Sequence, residues 1–197
     1  DLCQPVVDLR RIGLRALLDL GHEAADAHWR IGAGGDFELA PKKDGKRIWL
    51  HAVSVGEVVA ALPILGELKS LGPEYEVVLS VTTSSGHQTA REKTDGLVHR
   101  LVYFPIDVAR FQLAGMVRVR PAAVAIMETE LWFNFMWAAK ATDARTVLIN
   151  GRISDRSYPR SRRLKFFYRS LLGYLDRALM QTQTDAARLL TYRAADL

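Results

Sequence analysis

The sequence predicts an α/β fold, a doubly wound parallel sheet of the Rossmann-like kind, and three observations carry that reading. Short apolar, β-rich runs alternate with helical patterns from residue 48 to residue 192. Each run ends in small or polar residues, the signal for a helix start. The polar residues with chemical capacity sit in those junctions. A parallel topology would gather them at the carboxyl edge of the sheet, where open α/β sheets bind ligands.

Residues 6–20 have helical spacing through Leu9, Ile12, Leu14, Leu17 and Leu18, and residues 22–30 continue as helix. Residues 32–46 form a polar, glycine-rich connector. The expected division is an N-terminal helical segment and connector over 1–46, then a Rossmann-like domain over 47–197. The Gly32-Ala-Gly-Gly-Asp run is not a dinucleotide fingerprint, because no strand precedes it and no helix follows. Residues 48–53 read as a buried strand, 54–56 as a tight turn, and residues from Glu57 to 71 as a helix that Pro63 should kink or interrupt. Further strands are expected at 76–81, 98–103, 122–127, 145–149 and 177–180. Helices are expected at 87–93, 108–117, 131–141, 160–172 and from 185 to 192.

A chain of 197 residues, 49% hydrophobic and 25% charged, is long enough to bury a substantial core. Cys3 is the only cysteine, which excludes a disulfide framework. No stretch approaches the ~20 uninterrupted apolar residues of a membrane span. The chain starts at Asp1 rather than Met, so a preceding segment or anchor stays open. The net charge is +5, and residues 152–169 hold seven basic residues against the single acid Asp155. That segment, which includes Arg160, Arg162 and Arg163, is interleaved with Tyr158, Phe166, Phe167 and Tyr168. It fits either an anionic partner or a solvated helix face.

Glu57 falls on the first turn of a helix at the mouth of the sheet. It serves either as a dipole-complementing cap or as a functional carboxylate. Residues 82–85 with Gly86, including Thr83 and Ser84, suit a helix cap or a phosphate nest equally. Asp107 and Asp185 read as caps. Glu128 and Glu130, directly after a buried strand, are more than a cap requires. If Glu130 lay near Glu57, like-charge proximity would favour a proton-transferring role. His51 reads as a strand residue with a satisfied ring. The five histidines show no i, i+4 ligand pair and there is no Asp-x-Asp cluster, so no metal site is expected. Phosphate-loop, dinucleotide and nucleophile-elbow motifs are missing.

His-Ala-Val-Ser-Val-Gly-Glu at 51–57, Glu-Thr-Glu-Leu-Trp at 128–132 and Asn-Gly-Arg-Ile-Ser-Asp-Arg-Ser at 150–157 resemble the N-terminal half of 3-deoxy-D-manno-octulosonic acid (Kdo) transferase. The resemblance runs from about Trp29 onward. It implies the acceptor-side half of a two-domain, inverting GT-B type glycosyltransferase of lipopolysaccharide synthesis, with a C-terminal donor domain lying outside this chain. The expected donor is CMP-Kdo, bound mainly by that second domain, and the acceptor a lipid A precursor. No cofactor and no nucleic acid are expected. The expected location is the cytoplasmic face of the bacterial inner membrane, peripheral or N-terminally anchored. Glu57 matches the family's general base and Glu130 the second glutamate of its Glu-x-Glu motif. By the same resemblance Ser54 and Gly56 shape the turn, while Asn150 and Arg152 line the cleft. Phe133 stands where the family usually has proline, and Gly151 where alanine is common. Two alternatives remain: another lipid-linked sugar transferase of the same architecture, or a non-catalytic membrane- or acceptor-binding module.

Overall fold

The computed structural model describes residues 46–128, 131–155, 158 and 165–193. Six strands form one sheet: β1 (Lys46–Ala52), β2 (Tyr75–Val81), β3 (Arg100–Tyr103), β4 (Ala123–Met127), β5 (Arg145–Gly151) and β6 (Arg177–Met180). Their order is β3-β2-β1-β4-β5-β6, and every pairing is parallel. The described helices are α1 (Val55–Ser70), α2 (Ser84–Lys93), α3 (Ala109–Val119), α4 (Phe133–Ala141), α5 (Lys165–Leu172) and α6 (Gln183–Arg193). The expected segment over 1–45 lies outside the described residues.

Alternation along each strand sends side chains to two cores. Leu50, Ala52, Leu79 and Val81 pack with Val58, Ala61 and Leu65 of α1. Trp49, Val78, Val124 and Ile126 pack on the opposite face with Leu113, Met116, Phe135 and Met136 of α3 and α4. Each such side chain, fully buried, contributes about 1.5–3 kcal/mol. Helices on both faces of a parallel sheet make the fold doubly wound, as the alternating pattern predicts. Strand order reverses between β1 and β4, so the ligand-binding crevice of such a sheet lies there.

Several boundaries differ from expectation. Residues 54–56 do not form a separate turn: Ser54 is the N-cap of α1, and Val55 and Gly56 are already helical. α1 also runs unbroken through Pro63. The carbonyl that Pro63 leaves without a helical donor is that of Val59, a residue 45% exposed, where water can serve it. α2 starts three residues earlier than expected, because Thr83 supplies the cap. α4 starts at Phe133, two residues later than expected. At the opposite end of the sheet, Arg47 is buried, donates to Glu76 at 2.7 and 2.9 Å, and reaches the Val119 carbonyl at 2.6 Å.

Candidate active site

The loop after β1 is built around a reciprocal cap. The Ser54 hydroxyl accepts the Glu57 N–H at 3.4 Å and donates to Glu57 Oε1 at 3.1 Å. Glu57 Oε2 accepts the Val53 N–H at 2.8 Å. This is a variant of the capping box, in which the glutamate accepts the amide one residue before the N-cap, and it fixes the carboxylate in one orientation at the helix mouth. Glu57 is only 5% exposed. Capping does not by itself preclude a functional role, since a carboxylate offers about four lone-pair directions.

Gly56 lies in the first turn of α1 and is exposed. A Cβ built there would meet only the Ser54 hydroxyl, at 3.9 Å, so the turn itself does not demand glycine. Gly86 is different. Its Cβ would come within 2.8 Å of Thr83 Oγ1, 2.9 Å of Val81 Cγ1 and 3.2 Å of the Ser54 carbonyl carbon. The start of α2 is thus pressed against the start of α1. Thr83 ties the two together: its hydroxyl donates to the Val53 carbonyl at 3.0 Å and accepts the Gly86 N–H at 3.2 Å. Thr83 is a cap and a loop clamp, and Ser84 is exposed beside it.

Across the crevice, Glu128 follows β4 with φ +55° and its N–H bonded to the Ile149 carbonyl at 2.8 Å. Asn150, near the end of β5, has φ +57°. Left-handed backbone at a non-glycine residue costs roughly 1–2 kcal/mol, and asparagine tolerates it better than glutamate. Two such residues on adjacent strand ends is a local rule broken at the ligand edge, a common mark of functional loops. Glu130 lies outside the described residues, as do Arg160, Arg162 and Arg163.

Farther along the same edge, Arg152, Gln181, Thr182, Asp185 and Arg188 border a cleft of about 590 Å³. Here the first box recurs in a second form. Thr182 Oγ1 donates to Asp185 Oδ2 at 2.5 Å and accepts the Asp185 N–H at 3.1 Å, while Asp185 Oδ1 accepts the Ile153 N–H at 2.7 Å. The Thr182 hydroxyl, then the Ile153 amide, hold the Asp185 carboxyl below its usual range, with Arg188 and Arg152 adding to them. The sequence predicts Asp185 as the cap, but Thr182 takes that place: α6 starts at Gln183, and Asp185, in its first turn, binds the Ile153 amide instead. The Gln181 amide donates to the Asn150 carbonyl at 3.3 Å, joining the β5 and β6 loops.

Sequence reasoning missed one participant, Arg188, and misjudged two that it had singled out, Asp107 and His51. Arg188, from α6, donates to the Ile153 carbonyl at 2.7 Å and to Asp155, bracing the Arg152 loop. Asp107 caps not its own helix but α4, accepting the Asn134 N–H at 3.2 Å and the Phe135 N–H at 3.0 Å. Burial raises its pKa, and the two amide bonds work against that rise. His51 is wholly buried, and desolvation lowers its pKa to about 3. Its Nδ1 faces Ser80, but Nε2 has no hydrogen-bond partner among the described residues, so the ring is only half satisfied. None of these contacts is local in sequence: Asp107 was expected as a cap and His51 as a strand residue with a satisfied ring, both without their distant partners.

The departures at 133 and 151 have local accounts. The Phe133 ring packs against Phe167 and Tyr174, with centroids 6.0 and 5.6 Å apart. A Cβ at Gly151 would meet Met180 Sδ at 2.5 Å, so glycine there goes with the large side chain on β6.

Residues 28–196 match the family described as 3-Deoxy-D-manno-octulosonic-acid transferase (kdotransferase). The chain is 32% identical over 146 residues to the 3-deoxy-D-manno-octulosonic acid transferase of Chlamydophila psittaci, covering 74% of this chain and 34% of that protein. It is 32% identical over 173 residues to the enzyme of that name from Bordetella pertussis, covering 80% and 40%. A bifunctional glycosyltransferase/methyltransferase of Fusobacterium nucleatum is 33% identical over 158 residues, covering 80% and 24%. The chain thus spans 24–40% of the length of these relatives. Among solved structures, a UDP-N-acetylglucosamine 2-epimerase superposes with a TM-score of 0.55 at 13% identity, over 77% of this chain and 46% of that one. The UDP-GlcNAc 2-epimerase of Neisseria meningitidis, bound to UDP-GlcNAc, gives 0.53 at 10%, over 76% and 44%. Those two are likenesses of fold alone.

Proposed function

The chain belongs to the 3-deoxy-D-manno-octulosonic acid transferase family, and from that premise we propose that it forms the acceptor-side half of an inverting Kdo transferase with Glu57 as general base. The observation that carries the reading is the Glu57 carboxylate, held in one orientation by Val53 and Ser54 at the β1 side of the crevice. In an inverting transfer the acceptor hydroxyl attacks the anomeric carbon on the face opposite the leaving nucleotide. As the new bond to carbon forms, Glu57 takes the hydroxyl proton and the CMP phosphate leaves with the electron pair of the broken bond. General-base assistance of this kind contributes roughly 10²–10⁴-fold. Exposed Gly56 leaves room for a ligand against the first turn of α1, and Glu130 would act from the opposite loop. Ser84, Glu128, Asn150 and Arg152 would contact substrate along the same edge.

The donor would be CMP-Kdo and the acceptor a lipid A precursor presented at the cytoplasmic face of the inner membrane. Supporting the membrane side, α5 carries Phe166, 85% exposed, and exposed Arg169, in the basic segment. Tyr168 does not share that role, because it stacks on Tyr192 with centroids 5.1 Å apart. Among the described residues no helix is long and apolar enough to cross a membrane. The test is a transfer assay of the intact protein with CMP-Kdo and a lipid A precursor, run beside a panel of other nucleotide sugars. Kdo transfer supports the reading. Transfer of a different sugar makes the protein another lipid-linked sugar transferase, and no transfer from any donor favours a binding module.

A further inference from the structure

The two sides of the crevice also meet through a pair of side chains that the proposed reaction does not use. His51, next to last in β1, has Nδ1 3.0 Å from the Ser80 hydroxyl and 3.3 Å from the Ser80 carbonyl. With the ring proton directed at Ser80, Nε2 is an acceptor. It is buried and has no hydrogen-bond partner among the described residues, and the same is true of Trp132 Nε1, which can only donate. Both rings belong to one aromatic cluster. His51 stacks on Phe104 with centroids 3.8 Å apart, Phe104 lies 5.6 Å from Trp132, and the His51 and Trp132 rings meet edge to face at 6.5 Å. Buried polar atoms without a partner are rare in folded proteins. Two of opposite kind in one cluster are resolved together by one hydrogen-bonded connection.

We propose that His51 is a positioning residue: its Nε2 and the Trp132 indole N–H are the ends of one buried bridge through a single water, which seats the segment leading into α4 against the end of β1, just before the cap that holds Glu57. Trp132 immediately precedes α4 and makes no capping bond through its side chain. It follows Glu130 by two residues, so the bridge decides where the far loop of the crevice lies. Burial keeps the His51 ring neutral, which preserves the acceptor on Nε2 and adds no charge to the crevice. The effect on turnover rests on the proposed function; the bridge itself does not.

The test uses the intact protein with Trp132→Phe, which keeps an aromatic ring and removes the donor, His51→Leu, which removes the acceptor, and the two combined. A bridge leaves one buried polar atom stranded in each single variant. The double variant is then more stable than the two single losses predict. Additive losses overturn the proposal. The indole N–H of Trp132, assigned by its disappearance in Trp132→Phe, should exchange slowly with solvent in the wild type and faster in His51→Leu. Fast exchange in the wild type overturns the bridge without relying on any variant's stability. Positioning is read from kinetics: Trp132→Phe should lower kcat by about 10–100-fold, with KM moved by no more than about twofold and the pH–rate profile unchanged in shape. An unchanged kcat overturns the positioning role. The stability cycle and the exchange rate need no substrate, so they decide the bridge even if the wild type transfers no Kdo.

Discussion

Under the proposed reaction Glu57 has two duties in one carboxylate, cap and base, and a single substitution separates them. In the intact protein Glu57→Gln keeps a side chain that still caps at the third helical position but has no basicity. Turnover should fall by about 10²–10⁴-fold while stability moves by less than about 1 kcal/mol; chemical denaturation and a transfer assay on the same sample check both. Ser54→Ala removes the hydroxyl of the box and should cost about 1 kcal/mol of stability. His51 gives a pH signature. Its pKa is about 3 in the folded chain against 6.5 for the unperturbed side chain, so between those values the unfolded chain binds a proton that the folded one does not. Stability should therefore fall as pH drops from about 6.5 toward 3, by up to about 1.4 kcal/mol per pH unit, and His51→Leu should flatten that limb of the melting curve. Glu57 was legible because a carboxylate opening a helix directly after a buried strand is a local pattern. The half-satisfied ring of His51 was not, since its partner Ser80 lies 29 residues away on β2.

At the scale of elements, the strands and helices were readable because each has its own period and its own polar junction. Their ends were not, because caps arrive from elsewhere. Asp107, on the loop after β3, caps α4 from 27 residues away, and Thr83 pulls the start of α2 forward while holding the β1 loop. Gly86→Ala tests that clamp. Its Cβ would press on Thr83, Val81 and the Ser54 backbone, so the variant should lose about 1–3 kcal/mol, read by thermal melting, and lose activity because the β1 loop shifts. Asp176 shows the same logic at the opposite edge of the sheet. The Thr146 N–H, at 2.9 Å, is the main reason its pKa drops to about 2, with Lys140 adding to the effect. A lowered carboxyl stabilises the fold above its ordinary value of 3.8 and loses that contribution as pH falls toward 2. Asp176→Asn should remove this acid-limb dependence, leaving the separate window of His51 in place.

At the scale of the molecule, the order β3-β2-β1-β4-β5-β6 explains why scattered polar residues become one edge. The alternation implied a parallel sheet, and the family resemblance pointed to the loops after β1 and β4, the strands between which the order reverses. The left-handed backbone of Glu128 and Asn150 had no local signal, since neither is glycine. The basic segment with exposed Phe166 should bind anionic vesicles, and the attraction should weaken as salt shortens the Debye length to about 8 Å at physiological strength. An Arg160/Arg162/Arg163→Glu variant that co-sediments equally well at low salt would make the segment a solvated helix face. The central claim is that a carboxylate fixed at the β1 side of the crevice removes the acceptor proton during Kdo transfer. Its most direct test is single-turnover transfer of Kdo from CMP-Kdo by intact wild type and Glu57→Gln, both shown to be folded and to bind the acceptor. The account predicts wild-type acceptor affinity with a chemical step slowed at least about 100-fold; a chemical step at the wild-type rate would contradict it.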